Sequence, residues 1–177
     1  MEFDLLCKDI VVAEVIAEAG GVLWIDDSKA TNPHAAAAAL RAHPAVVWIV
    51  GGLLKGVDID DLVRRHAERL SAVVVIGVDR TALLSAFQRH APGLAVFEVD
   101  TAETSDVMPS AVRLAAAAAK AGDVVLLAPA AASMDQFTDY KDRGARFASA
   151  VRQFLEGTHD LEGTTDDDDP DPSGSTR

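Results

Sequence analysis

Three short strings in this chain combine residue types that can hold small anions. The first is Asp26-Asp27-Ser28-Lys29-Ala30-Thr31-Asn32-Pro33-His34. Pro33 suits the first position of a helix, and Asn32 or Thr31 suits its N-cap. Free N–H groups at such a start, with Lys29 beside them, suit a phosphate. Asp26 and Asp27 could order Lys29 or contact a sugar or a metal. A well-capped helix with a surface lysine satisfies the same spacing. The second string is Gly51-Gly52-Leu53-Leu54-Lys55-Gly56. Its glycines let backbone come close to a ligand, and Lys55 adds a point charge for a carboxylate or phosphate. A plain strand-to-helix turn with a solvated lysine is the alternative. The third string runs from Ala128-Pro129 through Ser133-Met134-Asp135-Gln136-Phe137 to Tyr140. Ser133-x-x-Gln136 reads on local grounds as a capping box; the functional alternative is a hydroxyl and backbone amides facing a small anion.

Other chemistries find no support in the residue pattern. Ser133 lacks the Gly-x-Ser-x-Gly setting of a hydrolase nucleophile. Neither Gly-x-x-x-x-Gly-Lys-Ser/Thr nor a Gly-x-Gly-x-x-Gly after the first strand occurs, so neither a P-loop nor a dehydrogenase fingerprint is present. The histidines (His34, His43, His66, His90, His159) show no metal-ligand spacing, and the lone Cys7 cannot form an internal disulfide. Trp24 and Trp48 fall in strand-like runs and read as core.

The elements that must position these strings follow from hydrophobic spacing. Apolar runs at Val46–Val50, Val73–Ile76, Leu94–Val99 and Val124–Leu127 predict strands covered on both faces. Between and after them, Pro33–Ala42, Ile59–Leu70, Thr81–His90, Ser105–Lys120 and Asp139–Leu155 carry helical spacing. Alternation of this kind predicts an α/β fold, a Rossmann-like, mostly parallel sheet flanked by helices. Ile10–Ala17 and Val22–Ile25 flank Glu18-Ala19-Gly20-Gly21, which predicts an N-terminal hairpin and so an antiparallel edge strand. In a parallel α/β sheet ligands gather at the carboxyl ends of the strands, where all three strings fall.

Composition narrows the partners. The chain has 177 residues, 49% hydrophobic but only 5% aromatic, so one domain built on Val, Leu, Ile and Ala is expected. Lys+Arg 16 against Asp+Glu 28 gives a net charge of −12, which argues against nucleic acid as a partner. Half of that charge sits in residues 157–177, which hold almost nothing to bury and are expected to form a disordered acidic tail. No secretory leader pattern opens the chain, and the longest apolar run, Ala45–Leu54, is too short for a bilayer. A cytoplasmic monomer with no membrane contact is the expectation.

Taken in order, Asp27-Ser28-Lys29-Ala30-Thr31-Asn32, Gly51-Gly52-x-x-Lys55, Ala128-Pro129-x-x-x-Ser133-x-Asp135-Gln136-Phe137 and Arg143-Gly144-x-x-Phe147 resemble the C-terminal, amino-acid-binding domain of the Mur ligases of peptidoglycan synthesis. Within that family they are most similar to the members that add D-glutamate. The resemblance covers residues 10–156 and leaves 1–9 unmatched. It implies an ATP- and Mg2+-dependent ligase of three domains that joins D-glutamate to UDP-N-acetylmuramoyl-L-alanine. By the resemblance, Lys29 and Thr31 approach nucleotide phosphates and D-glutamate, with Asp27 and Asn32 on the nucleotide (ATP/ADP) side. Lys55 would pair with one glutamate carboxylate. Ser133, with the Met134 backbone, would bind another, and Tyr140 would pack on the substrate where the family usually has Phe. It assigns no catalytic residue and no metal ligand to this chain. With no P-loop in the sequence, the isolated polypeptide is expected to be inactive as a ligase. A stand-alone, non-catalytic α/β module that binds an anionic ligand or a partner protein is the alternative.

Overall fold

The computed structural model describes residues 13–101 and 103–162. The expectations for residues 1–9, for a first strand starting at Ile10 and for the acidic tail past 162 lie outside the described residues. The elements are β1 (Glu14–Ala19), β2 (Val22–Asp26), α1 (Pro33–Arg41), β3 (Val46–Gly51), α2 (Asp60–His66), β4 (Leu70–Ile76), α3 (Thr81–His90), β5 (Val96–Glu98), α4 (Thr104–Ala118), β6 (Val124–Leu127) and α5 (Tyr140–Glu162). They build one 6-stranded sheet in the order β1-β2-β6-β3-β4-β5. Every neighbouring pair is parallel except β1 with β2. The expected α/β architecture with an antiparallel edge strand is therefore the observed one.

The strands read as unbroken apolar runs because each face of the sheet meets its own helices. In β3, Val46, Trp48 and Val50 enter one core, while Val47 and Ile49 enter the other. In β6, Val124 and Leu126 face the first core, and Val125 and Leu127 the second. α1, α2 and α3 close the first core with Leu40, Leu62, Val63, Leu83 and Phe87. α4 and α5 close the second with Val107, Met108, Val112, Phe147 and Val151. The alternation of side-chain direction along a strand, at period 2, is what divides one apolar run between two cores.

The hairpin turns on Gly20 and Gly21, whose φ values of 59° and 76° are the positive pair a tight two-residue turn needs. Ala19 then pairs directly with Val22. Several boundaries differ from expectation. The helix expected over Ile59–Leu70 stops at His66, and a 3-10 turn over Ala67–Arg69 follows. Leu70 cannot prolong the helix because it pairs with Val46 and opens β4. β5 shrinks to Val96–Glu98, an edge strand with one neighbour. α5 runs to Glu162 rather than ending at Leu155, so the first residues assigned to the tail are helical; no proline falls between Tyr140 and Pro170.

Trp48 links this core to the third string. Its buried indole Nε1 donates to the Ala128 carbonyl at 2.7 Å, and its ring meets Phe87 edge-on at 6.0 Å. Trp48→Phe keeps an aromatic in place but leaves a buried carbonyl without its donor. We expect a loss of about 2 kcal/mol in urea unfolding. An unchanged midpoint would mean that Ala128 finds another donor.

Candidate functional site

Because β6 lies between β2 and β3, the three strings emerge side by side at the carboxyl edge of the sheet. The loop after β6 is the central one, and backbone hydrogen bonds tie it to both neighbours. Ala130 N–H donates to Ala30 O at 2.9 Å on one side. Gly51 N–H donates to Pro129 O at 2.9 Å on the other, and Leu53 and Ala132 form a two-bond antiparallel bridge. Glycine is required where the backbones meet. Gly52 has φ 126°, and a Cβ there would lie 2.3 Å from Ala132 O. At Gly51 a Cβ would lie 2.0 Å from Ile76 O. Lys55 and Ala130 also hold positive φ, at 56° and 58°, an unfavourable conformation that persists only where surrounding contacts impose it.

The Ser133-x-x-Gln136 string is not a capping box. Gln136 turns its Oε1 to accept from Gly77 N–H at 2.8 Å, and Asp135 Oδ2 accepts from Val78 N–H at 3.1 Å. The loop thereby grips the end of β4 instead of starting a helix. α5 begins later, at Tyr140, where Asp139 accepts from Asp142 N–H at 2.8 Å and Asp142 accepts in return from Thr138 N–H at 3.1 Å. At α1 the expected cap is present: Asn32 Oδ1 accepts from Ala35 N–H at 3.0 Å, with Pro33 following. That cap changes the phosphate argument. Pro33 has no N–H and Ala35 N–H is taken, so the helix start offers an anion little beyond the His34 N–H.

Lys29 and Lys55 line two separate clefts, and Thr31, Asn32, Ser133 and Met134 line neither. Lys29 is exposed and shares a cleft of about 350 Å3 with Asp26, Asp27, Tyr140, Lys141 and Gly144. Lys55 is exposed in a second cleft of about 670 Å3, bounded by Gly52, Val78, Asp79 and Asp135. Ser133 is buried and Met134 exposed in the loop that separates the two strand ends. Thr31 is half-buried behind Lys29, its N–H donating to Lys29 O at 2.8 Å. A further groove of about 590 Å3, walled by Trp24, Phe154 and Arg113, opens at the opposite end of the sheet and contains none of these residues.

Two residues that carried no role in the sequence reading tie the site together. Arg143 is fully buried. Its Nε donates to Ser28 Oγ at 2.9 Å, Nη2 to Ser28 O at 2.8 Å and Nη1 to Ala131 O at 3.1 Å. Ser28 Oγ in turn donates to Tyr140 O at 2.8 Å. The signal for Arg143 was present in the sequence: it shares the i, i+4, i+8 stripe of α5 with Phe147 and Val151, both in the core. A charged residue on such a stripe must find buried acceptors.

Burial sets the electrostatics. It draws the Arg143 pKa down to about 10, with Asp135 and Asp26 acting in opposition, so the guanidinium remains charged at neutral pH. Burial also raises Asp26, although the Ser28 N–H bond at 2.8 Å counteracts it. Asp27 is raised by burial and lowered by the charge of Lys29, and its Oδ1 is buried with no hydrogen-bond partner among the described residues. Among the described residues no group of three or more His, Cys, Asp or Glu side chains could hold a metal ion. No described helix is long and apolar enough to cross a membrane.

Comparison with known proteins supplies context for this edge. Residues 13–131 match the family described as "Mur ligase, glutamate ligase domain". The UDP-N-acetylmuramoylalanine--D-glutamate ligase of Leifsonia xyli subsp. xyli is 65% identical over 147 residues, which are 83% of this chain and 28% of that protein. The ligase of the same name from Nocardia farcinica is 52% identical over 158 residues, 82% of this chain and 33% of that protein. The chain thus spans about a third or less of these relatives' length. Among solved structures, the UDP-N-acetylmuramate-alanine ligase MurC of Thermotoga maritima shares the fold, with TM-score 0.50 at 14% identity over 84% of this chain and 30% of that one.

Asp27 gives a pH-dependent test. A carboxyl with a folded pKa above its unfolded value binds more protons folded than unfolded between the two, so stability falls as pH rises through that window. Asp27→Asn removes the buried charge. The variant should be more stable than the parent at neutral pH, and the advantage should vanish below the ordinary aspartate value of 3.8. Thermal unfolding of both proteins across that range checks it. An advantage that persists in acid would assign the effect to something other than ionisation.

Proposed function

The chain belongs to the Mur ligase family through its glutamate ligase domain, and from that premise we propose that it is the D-glutamate-binding domain of an ATP-dependent ligase that forms UDP-N-acetylmuramoyl-L-alanyl-D-glutamate. The observation that carries the reading is the juxtaposition of Lys29, Lys55 and Ser133 on three adjacent loops of one sheet edge. D-Glutamate brings two carboxylates, and each needs a cation or convergent N–H and O–H donors. Lys55 would take one carboxylate, and the Ser133 hydroxyl with the Met134 amide the other. Tyr140 would cover the ligand. Lys29 and Thr31 would face both the amino acid and the nucleotide phosphates, with Asp27 and the Asn32 side-chain amide, whose Oδ1 is engaged in the cap, on the nucleotide side.

In the whole ligase, ATP supplies the phosphoryl group that activates the alanine carboxylate, and magnesium screens the phosphates. This chain's residues would hold D-glutamate so that its amine can attack the activated carbonyl. The proposal assigns no P-loop and no magnesium ligand to the chain. A cytoplasmic location and a monomeric state belong to the same reading.

Titration of the chain with D-glutamate, followed by amide chemical shifts, tests the assignment. Lys55 and Ser133 amides should respond, and D-glutamate should bind more tightly than L-glutamate. Lys55→Ala should weaken binding roughly tenfold to hundredfold, the range of a charge-assisted hydrogen bond. No response to D-glutamate or ADP from a folded chain would sink the reading and favour a non-catalytic scaffold. Separately, the 177-residue chain should release no phosphate from ATP in the presence of D-glutamate and the UDP-sugar substrate. Phosphate release would overturn the division of labour proposed above.

A further inference from the structure

We propose that Arg143 is a positioning residue: its buried guanidinium sets the separation of the Lys29 and Ser133 loops, so that both sides of the ligand site form together. The inference rests on the function proposed above. Its basis is the distribution of three hydrogen bonds from one planar group. Two bonds go to Ser28, which directly precedes Lys29, and one goes to Ala131, two residues before Ser133. The Ser28 hydroxyl passes the connection on to Tyr140 O, at the wall of the Lys29 cleft.

The surroundings leave the fork no slack. A Cβ on Gly144 would lie 2.4 Å from Asp26 Oδ2, so α5 is pressed against the end of β2. A Cβ on Gly52 would lie 3.4 Å from Arg143 Nη1, which brings the end of β3 to the same group. The guanidinium thus stands where β2, β6 and β3 all end. Removing a charge from water is costly, and an apolar side chain would pack on the α5 stripe beside Phe147 and Val151 at lower cost. What an apolar residue cannot do is hold Ser28 O, Ser28 Oγ and Ala131 O at fixed mutual distances. A lysine could not do so either, since it is a point charge on a flexible stem.

The test uses Arg143→Lys and the milder Ser28→Ala in the full chain, read by amide hydrogen exchange and D-glutamate titration. Ala130 and Ala132 are the reporters, because their N–H groups bond to Ala30 O and Leu53 O. In Arg143→Lys their exchange should quicken by about tenfold or more, while Ile49 and Val74 in the sheet stay within about twofold. D-Glutamate affinity should fall by about fivefold or more, and Ser28→Ala should move the same readouts less far. Unchanged protection at Ala130 and Ala132 would overturn the proposal. So would uniformly faster exchange through β3 and β4, which would mark a merely structural role, or a D-glutamate affinity equal to the parent's. Should Arg143→Lys fail to fold, Ser28→Ala decides by the same criteria. A parent protein that ignores D-glutamate but whose variants show the local exchange pattern would retain the positioning role and remove the ligand reading.

Discussion

A buried cation needs acceptors, and the way Arg143 obtains them shapes the whole carboxyl edge of the sheet. Its partners are two main-chain carbonyls and a hydroxyl, drawn from loops that are more than a hundred residues apart in sequence on the Ser28 side and twelve apart on the Ala131 side. Asp26 and Asp135 add favourable charge at longer range. A guanidinium presents its donors in a fixed plane, so satisfying it fixes the acceptors relative to one another. The close passage at Gly52 belongs to the same constraint, since a side chain there would run into the Ala132 carbonyl, and at Gly144 a side chain would displace the Asp26 carboxylate.

Beneath that edge the chain spends its apolar residues uniformly. The strands divide each Val/Ile/Leu run between two cores, and alanine on α1 and α4 lets helix and sheet approach closely. The edge itself is far less comfortable. Asp27 keeps a buried oxygen without a partner among the described residues, Asp26 and Asp27 are both raised by burial, and Lys55 and Ala130 hold positive φ. Such features beside the loops of the proposed site match the usual trade of stability for ligand binding, while two further buried nitrogens without a partner among the described residues, His66 Nδ1 and His90 Nε2, lie elsewhere.

Local patterns were legible where local forces decide. The Gly20-Gly21 hairpin, the Asn32 cap with Pro33, and α3 over Thr81–His90 all appear where the residue types require them. Two misreadings share one cause, a tertiary partner that displaced a local one. Gln136 had the spacing of a capping box, but Gly77 N–H was the donor it found. Leu70 had helical spacing, but pairing with Val46 drew it into β4. Arg143 was readable in part, because an arginine on the apolar stripe of α5 is anomalous, yet nothing in the stripe reveals which carbonyls it meets.

The sequence by itself determined that this is an α/β domain, that its strands are buried on both faces, and that its lysines and hydroxyls lie just past strand ends. Those outcomes depend on hydrophobic period, glycine and proline, which act within a few residues. Only the tertiary structure decided that β6 inserts between β2 and β3 and so brings the Lys29, Ser133 and Lys55 loops together. Four similar apolar runs can pair in several orders with nearly equal backbone hydrogen bonding. The order is selected by contacts between residues distant in the chain, and no local pattern records them.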